Sequence, residues 1–171
     1  MSHAVKARSI DDLGLQVRRL LTLEPGPPGR DRVRLLLQEA LEDVTFLPSY
    51  LGDEQPQRRV LYHDAQLGFS ILGHVFHEAR RTQPHDHGAT WAIYAQVEGT
   101  TLMDEWDVIE PATRERPGKV RKAATYPLTP GHARTYNEGA VHSPWREGPA
   151  KLIRIEGGPI DRESQREYEI V

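Results

Sequence analysis

The sequence predicts a mainly β protein, an antiparallel sandwich or barrel that follows two amphipathic helices. The 171 residues include 14 glycines and 13 prolines, a turn-rich composition that suits many short strands better than long helices. From Arg58 onward, short runs of β-branched and aromatic residues alternate with glycine and proline turn signals. A chain of this length is expected to form one domain that buries about two-thirds of its surface on folding.

Two helices are predicted at the start of the chain. Ser9 provides an N-cap, and apolar residues at helical spacing indicate a helix from about Ile10 to Thr22. The prolines and glycines at positions 25–29 are expected to end it, because proline lacks the amide hydrogen that a helix needs. Asp31 is then predicted to cap a second helix that also packs outside the β part. The apolar face of this helix consists of Val33, Leu36, Leu37, Ala40, Leu41 and Val44.

A series of strands is predicted after the helices. They are Arg59–His63, Phe69–His77, Trp91–Glu98, Thr101–Ile109, Ala123–Leu128, Ala133–Tyr136, His142–Arg146 and Lys151–Glu156. The strongly charged residues from Asp161 to Val171 are interpreted as a tail or a short helix. The single domain thus consists of a helical part at about 1–55, a β-barrel at about 56–160 and a tail at 161–171.

The overall composition excludes several classes of function. The chain carries 22 Lys and Arg against 25 Asp and Glu, so it lacks the basic excess of a nucleic-acid-binding protein. It has no cysteine, which excludes disulfides, zinc–thiolate sites and a cysteine nucleophile. No apolar segment has the length of a signal peptide or a membrane span, so we expect a cytoplasmic protein with no membrane partner.

A metal site is predicted from three histidines. His85 and His87 are separated by one residue, and on an extended segment such a pair points to the same side. One ion can therefore bind both imidazoles, and His142 is the best candidate for a third ligand. Imidazole ligands suit iron, zinc, nickel or copper better than magnesium or calcium. Because three neutral rings leave the double charge of the ion uncompensated, the site is expected to attract a small anionic substrate.

Two stretches of the sequence resemble the metal-binding signatures of the cupin superfamily. The matching residues are His85, His87 and Gly99 for the first signature, and Gly131, Gly139 and His142 for the second. Ala92 stands where many cupins place a glutamate ligand. Cupins are double-stranded β-helix barrels, also called jelly rolls. The resemblance therefore implies this fold and implies that the three histidines are the metal ligands.

Within that superfamily the chain resembles the thiol dioxygenases, the group of cysteine dioxygenase and 3-mercaptopropionate dioxygenase. The sharpest similarities lie at residues 59–62, residues 84–88, Trp91 and the Gly157-Gly158 pair. Members of this family bind iron(II) through three histidines and oxidise a small anionic thiol to a sulfinate with O2. The resemblance implies iron(II) as the cofactor, and the same ligands accept zinc, nickel, manganese or copper in a purified sample.

The resemblance also implies a substrate pocket. Arg59 occupies the position of the arginine that holds the substrate carboxylate in cysteine dioxygenases, and a guanidinium suits a carboxylate bidentately. His74 and Phe76 alternate on the next strand and therefore share a face. The resemblance turns this face toward the metal, so that His74 becomes a polar wall residue and Phe76 lines the substrate. Tyr94 has the same parity as Ala92 and is also expected to face the cavity.

The chain departs from the thiol dioxygenases near the end of the barrel. The family has a hydrogen-bonded serine, histidine and tyrosine beside the metal, and those positions hold Leu152, Arg154 and Glu156 here. If Arg154 and Glu156 face inward, they must be paired or engage a ligand, because buried charge is costly. Arg154 then binds a substrate anion, and Glu156 serves as a general base or a fourth ligand. The alternative is a surface salt bridge, with Ile153 and Ile155 packing the core instead.

Three functions are open at this point. The first is an iron-dependent thiol dioxygenase whose partners are a small anionic substrate and O2. The second is a cupin lyase, isomerase or hydrolase in which the metal is a Lewis acid and Glu156 moves a proton. The third is a non-catalytic cupin that binds a small anion. A homodimer is a further expectation, because cupins often pair through their strands.

Overall fold

The computed structural model describes residues 6–158 and 166–171. Two helices come first, α1 (Ile10–Leu23) and α2 (Pro27–Leu41), and a short 3-10 helix follows at Pro48–Tyr50. Within the described ranges there are ten strands: β1 (Arg58–His63), β2 (Ser70–Phe76), β3 (Arg80–Arg81), β4 (Ala92–Glu98), β5 (Thr101–Glu110), β6 (Gly118–Leu128), β7 (Ala133–Tyr136), β8 (His142–Arg146), β9 (Ala150–Glu156) and β10 (Tyr168–Ile170).

The first helix begins as its sequence predicts, and the second does not. The hydroxyl of Ser9 accepts a hydrogen bond from the Asp12 amide at 3.1 Å, which makes Ser9 the N-cap of α1. Helix α2 begins at Pro27, so the prediction that Asp31 caps it is wrong. Proline has no amide hydrogen to leave unpaired in a first helical turn, so Pro27 starts a helix rather than preventing one. Val44 lies beyond the end of α2 and is 81% exposed.

The strands form two five-stranded sheets that face each other. The first sheet has the order β1-β2-β9-β4-β7 and the second has the order β10-β6-β5-β8-β3. The chain crosses between the sheets repeatedly, because β2 and β4 belong to the first sheet while β3 and β5 belong to the second. This pattern is that of a jelly roll, in which two Greek keys make one double sheet. The predicted mainly β, double-stranded β-helix fold with two helices outside is confirmed.

Two strands were missed by the sequence analysis. Strand β3 contains only Arg80 and Arg81, and nothing in two exposed arginines indicates a strand. Strand β10 lies in the segment interpreted as a tail or helix, and it pairs with β6 in parallel. Residues 161–165 of that segment lie outside the described residues.

The two faces of the first sheet have different environments. One face packs on α1 and α2, where Ile71, Ile93 and Ile155 lie side by side on three neighbouring strands and are fully buried. The other face looks toward the second sheet, because Tyr94 and Leu152 pack against other buried residues of the barrel interior. Side chains alternate between these faces along each strand. The register in which the strands pair therefore decides which polar residues point into the barrel.

None of the helices in the described part of the chain is long and apolar enough to cross a membrane.

Candidate metal centre

The three predicted histidines converge at one point inside the barrel. Their ligand nitrogens all lie within 4.8 Å of one another. The ring centroids of His85 and His142 are 4.9 Å apart, and those of His87 and His142 are 4.7 Å apart. Backbone hydrogen bonds of 3.1 and 3.0 Å join His85 and His142 directly. The segment that follows β3 is thereby fixed against the first residue of β8.

Neighbouring groups orient two of the rings toward this point. The Nδ1 atoms lie at hydrogen-bond distance from backbone carbonyl oxygens, 2.8 Å from Gln83 for His85 and 3.2 Å from Ala140 for His142. A ring that donates from Nδ1 presents the lone pair of Nε2, which is how a carbonyl sets the tautomer of a metal ligand. The ring of Tyr136 stacks on His142 with centroids 4.1 Å apart and limits its rotation.

The chemistry of this donor set fits a transition-metal ion. Burial lowers the pKa of all three imidazoles, and the Arg154 guanidinium lowers it further. The rings are therefore neutral at pH 7 and their lone pairs are free for coordination. The Nε2 of His142 is buried without a hydrogen-bond partner, which is costly unless another group, such as an ion, engages it. No carboxylate of the described residues belongs to the cluster.

Tyr94 and Arg154 form the wall opposite the histidines. They are cross-strand neighbours on β4 and β9, and the Arg154 Cζ atom lies 5.2 Å from the centroid of the Tyr94 ring. The Tyr94 hydroxyl is 3.4 Å from His87 Nε2. The structure thus brings the predicted residue Tyr94 to the histidine cluster and places a cation beside it.

Arg154 and Glu156 both face inward. Their side chains are 13% and 4% exposed, and they form an ion pair with 3.1 Å between Arg154 Nη2 and Glu156 Oε2. The other carboxylate oxygen of Glu156 accepts a hydrogen bond of 2.9 Å from Arg58. Of the two alternatives for this pair, the structure has the inward-facing one, and the ion pair lies largely out of solvent. Ile153 and Ile155, which flank Arg154, point the other way, toward the helices, because residues alternate along β9.

The register places Arg59 away from the cluster. Arg59 lies opposite Gly73 on the helix-facing side of the first sheet, and its guanidinium donates to the Tyr50 carbonyl at 3.3 Å. Arg58 lies opposite His74 on the inward side. Neighbouring residues of a strand point to opposite faces of the sheet. Arg58 therefore points inward, whereas the sequence analysis expected Arg59 to do so.

His74 and Phe76 share the inward face of β2, as predicted from their spacing. Their rings stack with centroids 5.7 Å apart. Burial lowers the pKa of His74 to about 3, and Arg154, Arg58 and Arg146 lower it in addition. The His74 ring is therefore neutral at pH 7 and is surrounded by guanidinium groups.

Two functional candidates were missed by the sequence analysis. Arg146 is buried, and its Cζ atom lies 4.0 Å from the centroid of the Phe76 ring. Alternation along β8 from His142 contained the signal, because residues 142, 144 and 146 share one face. Asp86, between the two paired histidines, points to the other side, where its carboxylate accepts a hydrogen bond of 2.8 Å from the Tyr168 hydroxyl.

Comparison with known proteins gives similarity of fold only. No protein-family model and no curated protein sequence matches the chain. Among solved structures it is similar to KdgF from Halomonas sp., with 17% identity over 61% of this chain and 82% of that one and a TM-score of 0.44. It is also similar to a cupin superfamily protein from Desulfitobacterium hafniense, with 12% identity over 66% and 87% of the two chains and a TM-score of 0.46. An oxalate oxidase bound to the substrate analogue glycolate has 15% identity over 63% and 54%, with a TM-score of 0.43. Of these neighbours, one is named as a cupin superfamily protein and another as an oxalate oxidase.

Proposed function

We propose that this protein is a metal-dependent enzyme of the thiol dioxygenase type, which oxidises a small anionic thiol to a sulfinate. One observation carries the proposal: three neutral imidazoles, two of them buried, converge without a carboxylate of the described residues, and an arginine whose side chain is 13% exposed lies beside them. Three neutral ligands leave a divalent ion with its full charge, so the ion and Arg154 together favour an anion between them.

The chain's own residues would divide the work in a simple way. His85, His87 and His142 hold the ion, and Arg154 orients the anionic group of the substrate. Glu156 holds Arg154 in place through their ion pair, and Arg58 holds Glu156. Iron(II) bound to the histidines supplies the redox chemistry by which both atoms of O2 add to a thiolate sulfur. The Tyr94 hydroxyl, 3.4 Å from His87, is placed to donate a hydrogen bond to a substrate at the open side of the cluster.

The test is oxygen uptake by protein loaded with iron(II) under argon and then mixed with aerated thiols. The panel pairs each mercapto acid with the corresponding uncharged mercapto alcohol. We expect oxygen consumption and sulfinate formation, detected by mass spectrometry, with the mercapto acids only. The zinc-loaded protein is the control and should consume no oxygen. The absence of uptake across the panel with iron bound would remove the proposal.

Arg154 provides the matched variants for this assay. Arg154→Gln removes the cation, and the loss of a charged hydrogen bond should raise KM for a mercapto acid by about 10- to 100-fold. Arg154→Lys keeps the charge but not the planar fork, so it should recover part of the loss. Equal KM values for the acid and the alcohol in the wild-type protein would contradict this role.

A second function is favoured by one observation on Glu156. Its Oε2 atom is buried and has no hydrogen-bond partner, although Arg154 lies 3.1 Å away. If a substrate anion draws Arg154 away, this oxygen becomes available as a proton acceptor for a lyase, isomerase or hydrolase with a Lewis-acid metal. Turnover of a carboxylate substrate by the zinc- or nickel-loaded protein without O2, lost in Glu156→Gln, would establish this function instead. Ligand binding without turnover under either condition would identify a binding protein.

A further inference from the structure

Arg146 presents a second cation to the barrel interior. It lies on β8, four residues after His142, on the same face of the strand. Its guanidinium covers the ring of Phe76 at 4.0 Å, and Phe76 in turn stacks on His74. With a strand rise of about 3.3 Å per residue, the backbones of His142 and Arg146 are roughly 13 Å apart. The two residues therefore lie on the same inward face of β8, four residues apart along the strand.

No acidic side chain of the described residues neutralises Arg146. The residue is 5% exposed, and its Nε atom is buried without a hydrogen-bond partner. Arg80 is its cross-strand neighbour and adds positive charge rather than removing it. Burial lowers the pKa of Arg146 to about 10, whereas the Tyr94 hydroxyl raises it. The folded protein therefore carries the cost of a desolvated cation at this place.

The two other inward-facing cations share one acid. Arg58 and Arg154 both engage the Glu156 carboxylate, so this acid balances one of the two charges. Arg146 stands apart from that pair, and its planar guanidinium fork is suited to a planar anion such as a carboxylate. Polar groups that lack partners in a ligand pocket are commonly completed by the ligand.

From this geometry we infer that the substrate carries two anionic groups, one bound between the metal ligands and Arg154 and the other bound by Arg146. This inference rests on the proposed function in that it assigns the substrate class of the same site. A carboxylate and a phosphate-type group both satisfy Arg146, because a guanidinium pairs with either in the same bidentate manner.

The experiment measures binding without turnover, by calorimetry on the zinc-loaded protein under argon. Succinate and butyrate are the central pair, because they differ only by a carboxylate in place of a methyl group. 3-Phosphonopropionate replaces one carboxylate of succinate by a phosphonate. We expect succinate or 3-phosphonopropionate to bind at least about 10-fold more tightly than butyrate, and the tighter of the two identifies the second anionic group. Binding of both no tighter than butyrate overturns the inference, as does the absence of measurable binding.

Three variants test whether Arg146 causes the tighter binding of the dianion. Arg146→Gln should reduce the ratio between the preferred dianion and butyrate to about one or two, and Arg146→Lys should restore part of it. Arg80→Gln removes a neighbouring exposed charge on β3 and should leave the ratio within about 2-fold of the wild-type value. A ratio unchanged in Arg146→Gln, or lost equally in Arg80→Gln, assigns the preference to the general field of the cavity and overturns the inference.

A stability measurement separates a binding residue from a structural one. Arg146→Met keeps an unbranched, flexible side chain and removes the uncompensated charge, so the ligand-free variant should melt at the same temperature as the wild type or higher. A lower melting temperature would show that Arg146 supports the fold and would overturn the inference.

The result of this binding experiment does not depend on whether the protein oxidises thiols. A dianion preference that depends on Arg146, together with no oxygen uptake by the iron-loaded protein, removes the thiol dioxygenase proposal and leaves the second subsite. Oxygen uptake with thiols of a single negative charge, together with equal binding of succinate and butyrate, removes only the subsite.

Discussion

At the scale of single residues, the environment of each ring decides its role. His85 and His142 have backbone carbonyls beside their Nδ1 atoms, and His74 likewise has a backbone hydrogen-bond partner in Gln57. The Nε2 atoms of His142 and His74 are both buried without a partner, but the ring of His74 stacks on Phe76 rather than on another histidine. The same residue type thus forms a cluster with the geometry of a metal site in one place and a neutral wall in another. The difference arises from which other groups converge, since only the first set brings three nitrogens together.

His74 should make the stability of the protein sensitive to acid. Its pKa is lowered to about 3 in the folded state, so below pH 6.5 the unfolded chain binds a proton that the folded chain does not. The stabilising contribution is complete above pH 6.5 and is lost as the pH falls toward 3. In chemical denaturation of metal-free protein, the wild type should lose about 2 kcal/mol more than His74→Phe between pH 7 and pH 5.

The matched control for this prediction is His77→Phe. His77 is exposed, just beyond the end of β2, so its replacement should leave the pH dependence of unfolding as in the wild type. Parallel pH profiles for the wild type and His74→Phe would show that the buried ring accepts a proton in the folded state.

At the scale of elements, the C-terminal strand is joined to the histidine motif. Asp86 is buried between the two paired ligands, and it accepts hydrogen bonds from the Tyr168 hydroxyl at 2.8 Å and the Arg166 amide at 3.2 Å. An isolated bridge also pairs His85 with Glu167. One carboxylate thereby fixes β10 against the segment that carries two of the three ligands.

Loss of the Tyr168 hydroxyl should loosen this connection. Tyr168→Phe leaves a buried carboxylate oxygen of Asp86 without its partner, and the free energy of unfolding should fall by about 1–3 kcal/mol. Urea denaturation measures the change. Ile170→Ala alters the same strand at a side chain that is 57% exposed, and it should change stability by less than about 0.5 kcal/mol. An equal effect of the two variants would mean that strand pairing, not Asp86, holds β10.

At the scale of the whole molecule, the histidine cluster joins parts of the fold that are distant in the chain. Its members come from the segment between β3 and β4 and from β8, and Arg154 comes from the other sheet. An ion bound to all three rings is thus a cross-link within the folded state only. Any ligand that binds the folded form alone stabilises it by mass action.

Metal binding should therefore raise the melting temperature. At a free ion concentration one hundred times Kd, the gain in stability is about 2.7 kcal/mol, or roughly 5–10 °C for a chain of this size. The shift between metal-free and metal-loaded protein is measured by thermal unfolding. His85→Ala should abolish it, and His132→Ala, which removes an exposed histidine, should preserve it. A shift retained in His85→Ala would place the ion elsewhere.

Local sequence determined the features that depend on spacing. Ser9 indicated the start of α1, the alternation on β2 predicted that His74 and Phe76 share a face, and the glycine and proline turns predicted a mainly β barrel. The clustering of His85 and His87 followed from the pleat of an extended segment, and the third histidine came from the resemblance of the flanking glycines to a known signature. Apart from the third histidine, these features are short-range, because relations between residues two or three positions apart fix them.

Only the tertiary structure decided which neighbouring residue points into the barrel. Arg58 and Arg59 are indistinguishable by composition, and the pairing of β1 with β2 turned the first inward and the second toward the 3-10 helix. The same long-range pairing buried Arg154 and Glu156 together and left Arg146 with no acidic partner among the described residues. The register of a sheet depends on many weak contacts between strands that are far apart in the chain. Which charged side chains point into the barrel is therefore fixed only when both sheets have formed.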